Sequence, residues 1–235
     1  MNIAVIPARG GSKRIPKKNL KLFRGKPIIA YSIDAAFASG QFERVIVSTD
    51  DREIADYALA RGAEVPFMRP AALSDDHATT VPVVAHAIDA ACGEQAAAGP
   101  MNVCCLYATA PFVRPGDLSL AHQSFVHMRV AGYVFTATAF PFPIQRAFRI
   151  GLEGRVEMFD PSAYATRSQD LEPAYQDAGQ FYWGSAASFR AHKMFFSTDS
   201  VAFLLPRYRV QDIDTHDDWR RAELVHQALE TLGEL

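Results

Sequence analysis

Two rhythms of apolar and polar positions share this chain. Short apolar runs without helical spacing, at 2–7, 45–49 and 102–107, alternate through the first 140 residues with stretches where apolar residues recur every three or four positions. This alternation predicts an α/β fold on a doubly wound, mostly parallel sheet. Pro27 is placed to open a helix whose Ile29, Ile33, Ala36 and Phe37 share a face, with Gly40 as its stop. Asp50-Asp51 after the second strand suits the start of another helix, with Ile54 and Ala58 inward and Gly62 at its end. Residues 63–68 read as a third strand that Pro66 pushes to the sheet edge. Thr80 is expected to cap a helix over 81–92, followed by an Ala-rich loop from Glu94 to Pro100. A further strand is predicted at 133–138.

The rhythm breaks over 140–175, where Pro141, Pro143, Pro161 and Pro173 interrupt it and Gly151 to Gly154 mark a hairpin. Phe140, Phe142, Ile144, Phe148, Ile150 and Phe159 make this insertion more apolar than a solvated excursion, so it is expected to pack against something. The α/β pattern then resumes with strands at 180–184 and 208–213 and a helix over 216–232. Trp219, Ala222, Val225, Leu229 and Leu232 form one face of that helix, and Thr215 with Asp218 suits a capping box. No internal repeat is visible, and 235 residues suit a single domain with one elaboration.

Composition removes several classes of function. A net charge of −2 gives no general attraction to nucleic acid or to an anionic membrane. Cys92, Cys104 and Cys105 lack CxxC spacing, which argues against a disulfide framework or a zinc site and favours a reducing compartment. With no signal-peptide pattern and no apolar run near the ~20 residues of a membrane span, the protein is expected to be cytoplasmic.

Charge is concentrated in one place. Eight of the 24 Lys and Arg residues lie in the first 26 positions, before the first acidic residue, Asp34. The run follows the first strand, in Ala8-Arg9-Gly10-Gly11-Ser12-Lys13-Arg14. Gly10 and Gly11 remove side chains that would keep backbone N–H groups from an anion, and Arg9, Ser12, Lys13 and Lys18 add charge-assisted donors. A solvated basic face is the alternative, but the carboxyl end of a first strand is where α/β sheets bind ligands. The dinucleotide fingerprint lacks its third glycine, and Gly25-Lys26 is followed by Pro27 rather than Ser or Thr, so neither a Rossmann dinucleotide site nor a Walker A loop is present.

The loop resembles the opening of the acylneuraminate cytidylyltransferases, which join CTP to a nonulosonic acid. Similar segments follow in order at Val47–Asp51, Phe67–Ala71, Leu106–Pro111, Ala178–Trp183 and Gln211–Thr215. Tyr107 to Pro111 and Arg167 to Glu172 look most like the branch that uses pseudaminic acid. The resemblance implies a Rossmann-like nucleotidyltransferase, Mg²⁺ as cofactor, CTP and a nonulosonic acid as substrates, and a homodimer joined through the 140–175 insertion.

Carried over residue by residue, the resemblance assigns Arg9, Gly10, Gly11, Ser12, Lys18, Asn19, Arg69, Ala78 and Thr80 to the nucleotide, with Arg9 or Lys18 stabilising charge at the α-phosphate. Arg69 as a surface ion pair and Thr80 as a mere cap are the plain alternatives. It assigns Tyr107, Arg167, Gln180, Tyr182, Phe195 and Phe196 to the sugar, although Tyr107 stands where many sialic acid members have Gln, and Arg167 is one residue out of register counted back from Gly179. Core packing is the alternative for the aromatics. Asp212 and Asp214 flank Ile213, and a period of two puts both carboxylates on one face, a donor pair suited to Mg²⁺. Alternatively Asp214 caps the last helix and Asp212 pairs with Arg207 or Arg209. Rival readings are the same reaction on N-acetylneuraminic, legionaminic or 3-deoxy-manno-octulosonic acid, and a nucleotide-sugar glycosyltransferase, which would be expected to show a mid-chain Asp-x-Asp that is absent here.

Overall fold

The computed structural model describes residues 1–234, and all their side chains except those of 94–98. In chain order the elements are β1 (Asn2–Pro7), β2 (Leu22–Phe23), β3 (Lys26–Pro27), α1 (Ile29–Ser39), β4 (Arg44–Ser48), α2 (Arg52–Ala60), α3 (Thr80–Ala98), β5 (Asn102–Leu106), α4 (Pro115–His127), β6 (Tyr133–Ala139), β7 (Phe148–Ile150), β8 (Val156–Met158), β9 (Tyr175–Ser185), α5 (Ala186–Arg190), β10 (Val201–Leu204) and α6 (His216–Thr231). Six strands form one sheet in the order β10-β6-β9-β5-β1-β4, in which β9 runs against the other five. The expected mostly parallel sheet is therefore present. Its ladder shifts register between Phe135 and Ala137, where the Thr136 hydroxyl accepts from the amides of Gln180 (3.2 Å) and Phe181 (3.3 Å).

The period of two sorts the strands' side chains onto two buried faces. Ala4, Ile6, Val45, Val47, Leu106 and Trp183 pack with residues of α1, α2 and α4, whereas Ile3, Val5, Ile46, Val103 and Tyr182 pack with α3 and α5. A third cluster, built from Phe23, Phe112, Ile213, Trp219 and Leu229, seats α6 near the end of the sheet.

Local signals decide most element ends. The Asp51 side chain caps α2 by accepting from the amides of Glu53 and Ile54, and Thr215 with Asp218 forms the expected capping box of α6. Gly40 ends α1 in the left-handed region at φ 62°, as a glycine stop should.

Several expectations need correction. Pro27 lies in the β2–β3 hairpin, and α1 starts after Ile28. Only Glu64 of 63–68 bridges the sheet, opposite Ile46. Thr79, not Thr80, is the N-cap of α3, and that helix continues to Ala98 through a kink at Cys92, so the loop expected from Glu94 begins at Gly99. The 208–213 strand is absent: Arg207–Arg209 is a 3₁₀ turn and 210–214 is irregular. There the alternation came from single anchors, buried Arg209 and Ile213, rather than from a sheet. Phe37 and Leu232, expected inward, are exposed. The insertion does contain its hairpin, with β7 antiparallel to β8, but Phe142, Ile150, Phe159 and Tyr164 project from it, 79%, 70%, 67% and 77% exposed.

Candidate active site

The loops leaving the carboxyl ends of β1 and β5, with Arg69, the start of α3 and Asp214, enclose a hollow of about 320 Å³. Its lining includes Arg9, Ser12, Lys18, Asn19, Arg69, Ala78, Thr80, Tyr107 and Asp214, so one cavity gathers nine of the residues singled out in the sequence, from segments far apart along the chain.

Arg69 is 6% exposed, and its amide is fixed to the Thr49 carbonyl at 2.8 Å. Its Nε and Nη2 have no hydrogen-bond partner among the described residues, and Asp50 is 3.7 Å away. Burial pushes the guanidinium below its ordinary value, opposed by the charge of Asp50. A buried guanidinium with free N–H groups facing a cavity is a costly arrangement for the empty protein and a ready one for an acceptor-rich ligand. This is not the surface ion pair of the alternative reading.

Lys18 sits 3.6 Å from Asp214, which also pairs with Arg14 at 2.7 Å. Burial lowers the Lys18 ammonium, with Asp214 and then Asp212 pulling it back up. Burial and the neighbouring Asp214 charge raise the Asp212 carboxyl. That burial is partial, since Asp212 as a whole is exposed, and it forms no ion pair among the described residues. Both alternatives for these carboxylates fail: Thr215 caps α6, and among the described residues neither Arg207 nor Arg209 pairs with Asp212, Arg209 being held by Asp117. Of the pair, Asp214 lines the cationic hollow and Asp212 does not; two hard oxygen donors two residues apart are chemically suited to Mg²⁺, which needs only one or two protein carboxylates when phosphates complete its shell. No cluster of three or more His, Cys, Asp or Glu suited to a metal occurs among the described residues.

The basic loop is already braced. Arg9 donates to the Asp75 carbonyl (3.0 Å) and to Asp76 (2.8 Å), and Lys13 also pairs with Asp76. Those two cations lower the Asp76 carboxyl. Asn19 donates to the Arg9 carbonyl at 2.9 Å, tying the ends of the loop together. Gly10 departs from expectation, because its amide donates to Asp50 at 2.9 Å rather than standing free. Glycine is needed there for a different reason: a Cβ would lie 2.6 Å from Asp51 Oδ2. Gly11 is exposed with open space around it, and neither glycine lines the hollow.

A second hollow, about 540 Å³, adjoins the first and shares Thr80 and Tyr107 with it. The two hydroxyls are hydrogen-bonded at 2.9 Å, and burial pushes the Tyr107 phenol up to about 12. The walls are aromatic: Phe195 stacks on Tyr182 at 4.1 Å, Tyr182 tilts against Tyr107 at 5.3 Å, and Phe196 lies at the rim. Tyr182 donates its hydroxyl to Asp177, and burial raises that phenol far above its ordinary range.

Two expected sugar residues are elsewhere. Gln180 is 3% exposed and donates to the Arg209 carbonyl at 2.8 Å, so it braces the turn before Asp212 rather than facing a ligand. Arg167 is exposed on the insertion and lines neither hollow of its own chain. Arg14, Asp76 and Asp177 were not assigned from the sequence. Arg14 lay within the basic run, and Asp177 immediately precedes the Ala178–Trp183 segment; only the tertiary contacts single them out.

A sheet with a cationic hollow at its strand ends, abutting an aromatic one, is the framework of a Rossmann-like nucleotidyltransferase. The family described as Cytidylyltransferase matches residues 3–218, and the chain belongs to that family. It is 45% identical over 226 residues to the pseudaminic acid cytidylyltransferase of Campylobacter jejuni, covering 96% of each. With the CMP-N,N′-diacetyllegionaminic acid synthase of Legionella pneumophila the identity is 34% over 230 residues, 94% of each. A solved CMP:2-keto-3-deoxy-manno-octonic acid synthetase, in complex with CTP, shares the fold at a TM-score of 0.70 and 17% identity, over 97% of this chain and 98% of that one. No helix among the described residues is long and apolar enough to cross a membrane.

Proposed function

We propose that the protein transfers CMP from CTP to the anomeric hydroxyl of pseudaminic acid and releases pyrophosphate. The observation that carries this reading is the shared wall of the two hollows: a cationic site and an aromatic site meet at Thr80 and Tyr107, as a two-substrate transfer requires. The similarity to the Campylobacter jejuni enzyme favours pseudaminic acid as acceptor.

In this reading Arg9, Ser12 and Lys18 hold the triphosphate, Arg69, Ala78 and Thr80 face the nucleoside, and Asn19 keeps the loop in shape. Tyr107, Tyr182, Phe195 and Phe196 shape the sugar hollow. The anomeric oxygen forms a bond to the α-phosphorus as the bond to the bridging oxygen breaks; pyrophosphate leaves with that electron pair, and the hydroxyl proton passes to solvent. Lys18 offsets the charge that grows on the α-phosphate oxygens, a role whose value rises as the transition state forms. Mg²⁺ held by Asp212 and Asp214 would neutralise phosphate charge and acidify the incoming hydroxyl.

The exposed apolar side chains of 140–175 support a homodimer in which this insertion, with Arg167, completes the partner's sugar hollow. The buried free thiols of Cys92, Cys104 and Cys105 suit the cytoplasm. The test is pyrophosphate release from CTP with a panel of pseudaminic, legionaminic, N-acetylneuraminic and 3-deoxy-manno-octulosonic acids. Pseudaminic acid should give the highest kcat/KM; an equal or higher value for another acid would reassign the acceptor, and no release with any of them would reject the reaction.

A further inference from the structure

Asp177 supplies the carboxylate in the lining of the aromatic hollow, and unlike Thr80 and Tyr107 it is not part of the lining of the cationic one. One of its oxygens accepts from the Gly179 amide at 3.0 Å and the other from the Tyr182 hydroxyl. An ionised carboxylate offers about four lone-pair sites, so capacity remains for another donor. Lys193, in the same lining, is turned away to the Ala131 carbonyl at 2.9 Å. Beyond Asp177 and Phe196 a third hollow opens, about 650 Å³ and lined by apolar groups of Phe135, Tyr175 and Leu204.

We infer that Asp177 is the specificity residue at the sugar's distal end, accepting an acylamido N–H of the acceptor while the acyl methyl lies against Phe196. The inference rests on the acceptor proposed above. A nonulosonic acid carries its carboxylate and its reacting hydroxyl on the same carbon, and its acylamido groups further along the chain. A carboxylate at the distal end repels the acceptor's carboxylate and attracts an N–H, while Lys18 and Arg14 attract the carboxylate at the other end. Asp177 thereby sets the direction in which the acceptor enters, with the anomeric hydroxyl toward the nucleotide.

Steady-state kinetics of Asp177→Ala, Asp177→Asn and Tyr182→Phe, varying pseudaminic acid and CTP separately, test this. Loss of one hydrogen bond to a charged group predicts an acceptor KM raised about tenfold or more in Asp177→Ala, with kcat and the KM for CTP nearly unchanged. Tyr182→Phe should show a clearly smaller rise, because Asp177 survives in it. Should the Ala variant fail to fold, the isosteric Asn variant carries the same comparison. An unchanged acceptor KM in both Asp177 variants, or a Tyr182→Phe rise equal to the Asp177→Ala one, would reduce Asp177 to a support for Tyr182 and overturn the inference. Wild-type enzyme inactive on every nonulosonic acid would be a separate result, one that removes the proposed reaction and this inference with it.

Discussion

Arg209 and Asp117 form a two-pronged ion pair with side chains only 7% and 12% exposed, joining the turn before Asp212 to the first turn of α4. Gln180 holds the Arg209 carbonyl from the other side, and Ile213 is buried between the two carboxylates of the proposed metal pair. A segment with no strand or helix of its own is thereby fixed at three points.

Removing one partner of such a pair strands the other charge in the interior. Asp117→Ala is expected to cost about 3–5 kcal/mol of stability, read from urea unfolding. A loss below about 1 kcal/mol would mean that the pair is not what secures this segment.

Asp212→Asn and Asp214→Asn should each cut turnover by about a hundredfold or more, and EDTA should do the same to the wild type. Stability should move the other way for Asp212. Its carboxyl is raised in the fold, so its contribution is present below the unfolded value of 3.8 and is lost as pH rises through the folded one. Asp212→Asn should therefore raise the melting temperature at pH 7 and lose that gain in acid, below pH ~3.8. Full activity in EDTA, or a gain independent of pH, would contradict these assignments.

Lys18 is the cationic counterpart. Its ammonium is lowered by burial, so the folded protein releases this proton more readily than the unfolded chain and regains stability as pH rises through the folded value. At neutral pH Lys18→Met should stabilise the empty protein by about 1 kcal/mol while weakening CTP binding and slowing turnover. Calorimetry with CTP and thermal unfolding without it check the two halves; unchanged affinity and turnover would take Lys18 out of the site.

Light scattering should give twice the chain mass of 25.9 kDa. Phe142→Asp with Phe148→Asp should yield monomers with impaired sugar use, since charge on an apolar contact opposes association. Wild-type protein that is monomeric at micromolar concentration and fully active would rule out the dimer.

Legibility followed the range of the interactions involved. β1, β4, β5 and β6 were readable because a buried strand declares itself by a short apolar run, and the caps of α2 and α6 because Asp51 and Thr215 act on amides two or three residues away. The basic loop and Asp212-Ile213-Asp214 were visible as local clusters, and the fold brings Lys18 and Asp214 together. What sequence could not supply was long-range. Gln180 belongs to a buried bond with Arg209, the Gly10 amide to Asp50, and Thr80, at the start of α3, to a tyrosine in the loop after β5. β10 went unread because two of its four residues, Ala202 and Leu204, remain exposed at the sheet edge.

Asp76 holds Arg9 and Lys13 before any ligand arrives. In the proposed reaction a phosphate chain held by that loop would displace a carboxylate, so its binding would be an exchange of anions rather than the filling of a bare cationic patch. The same exchange run backwards would favour departure: once the proposed transfer severs pyrophosphate from the nucleoside, Asp76 would compete to recapture both cations. A loop that greets its ligand with a rival anion trades grip for turnover.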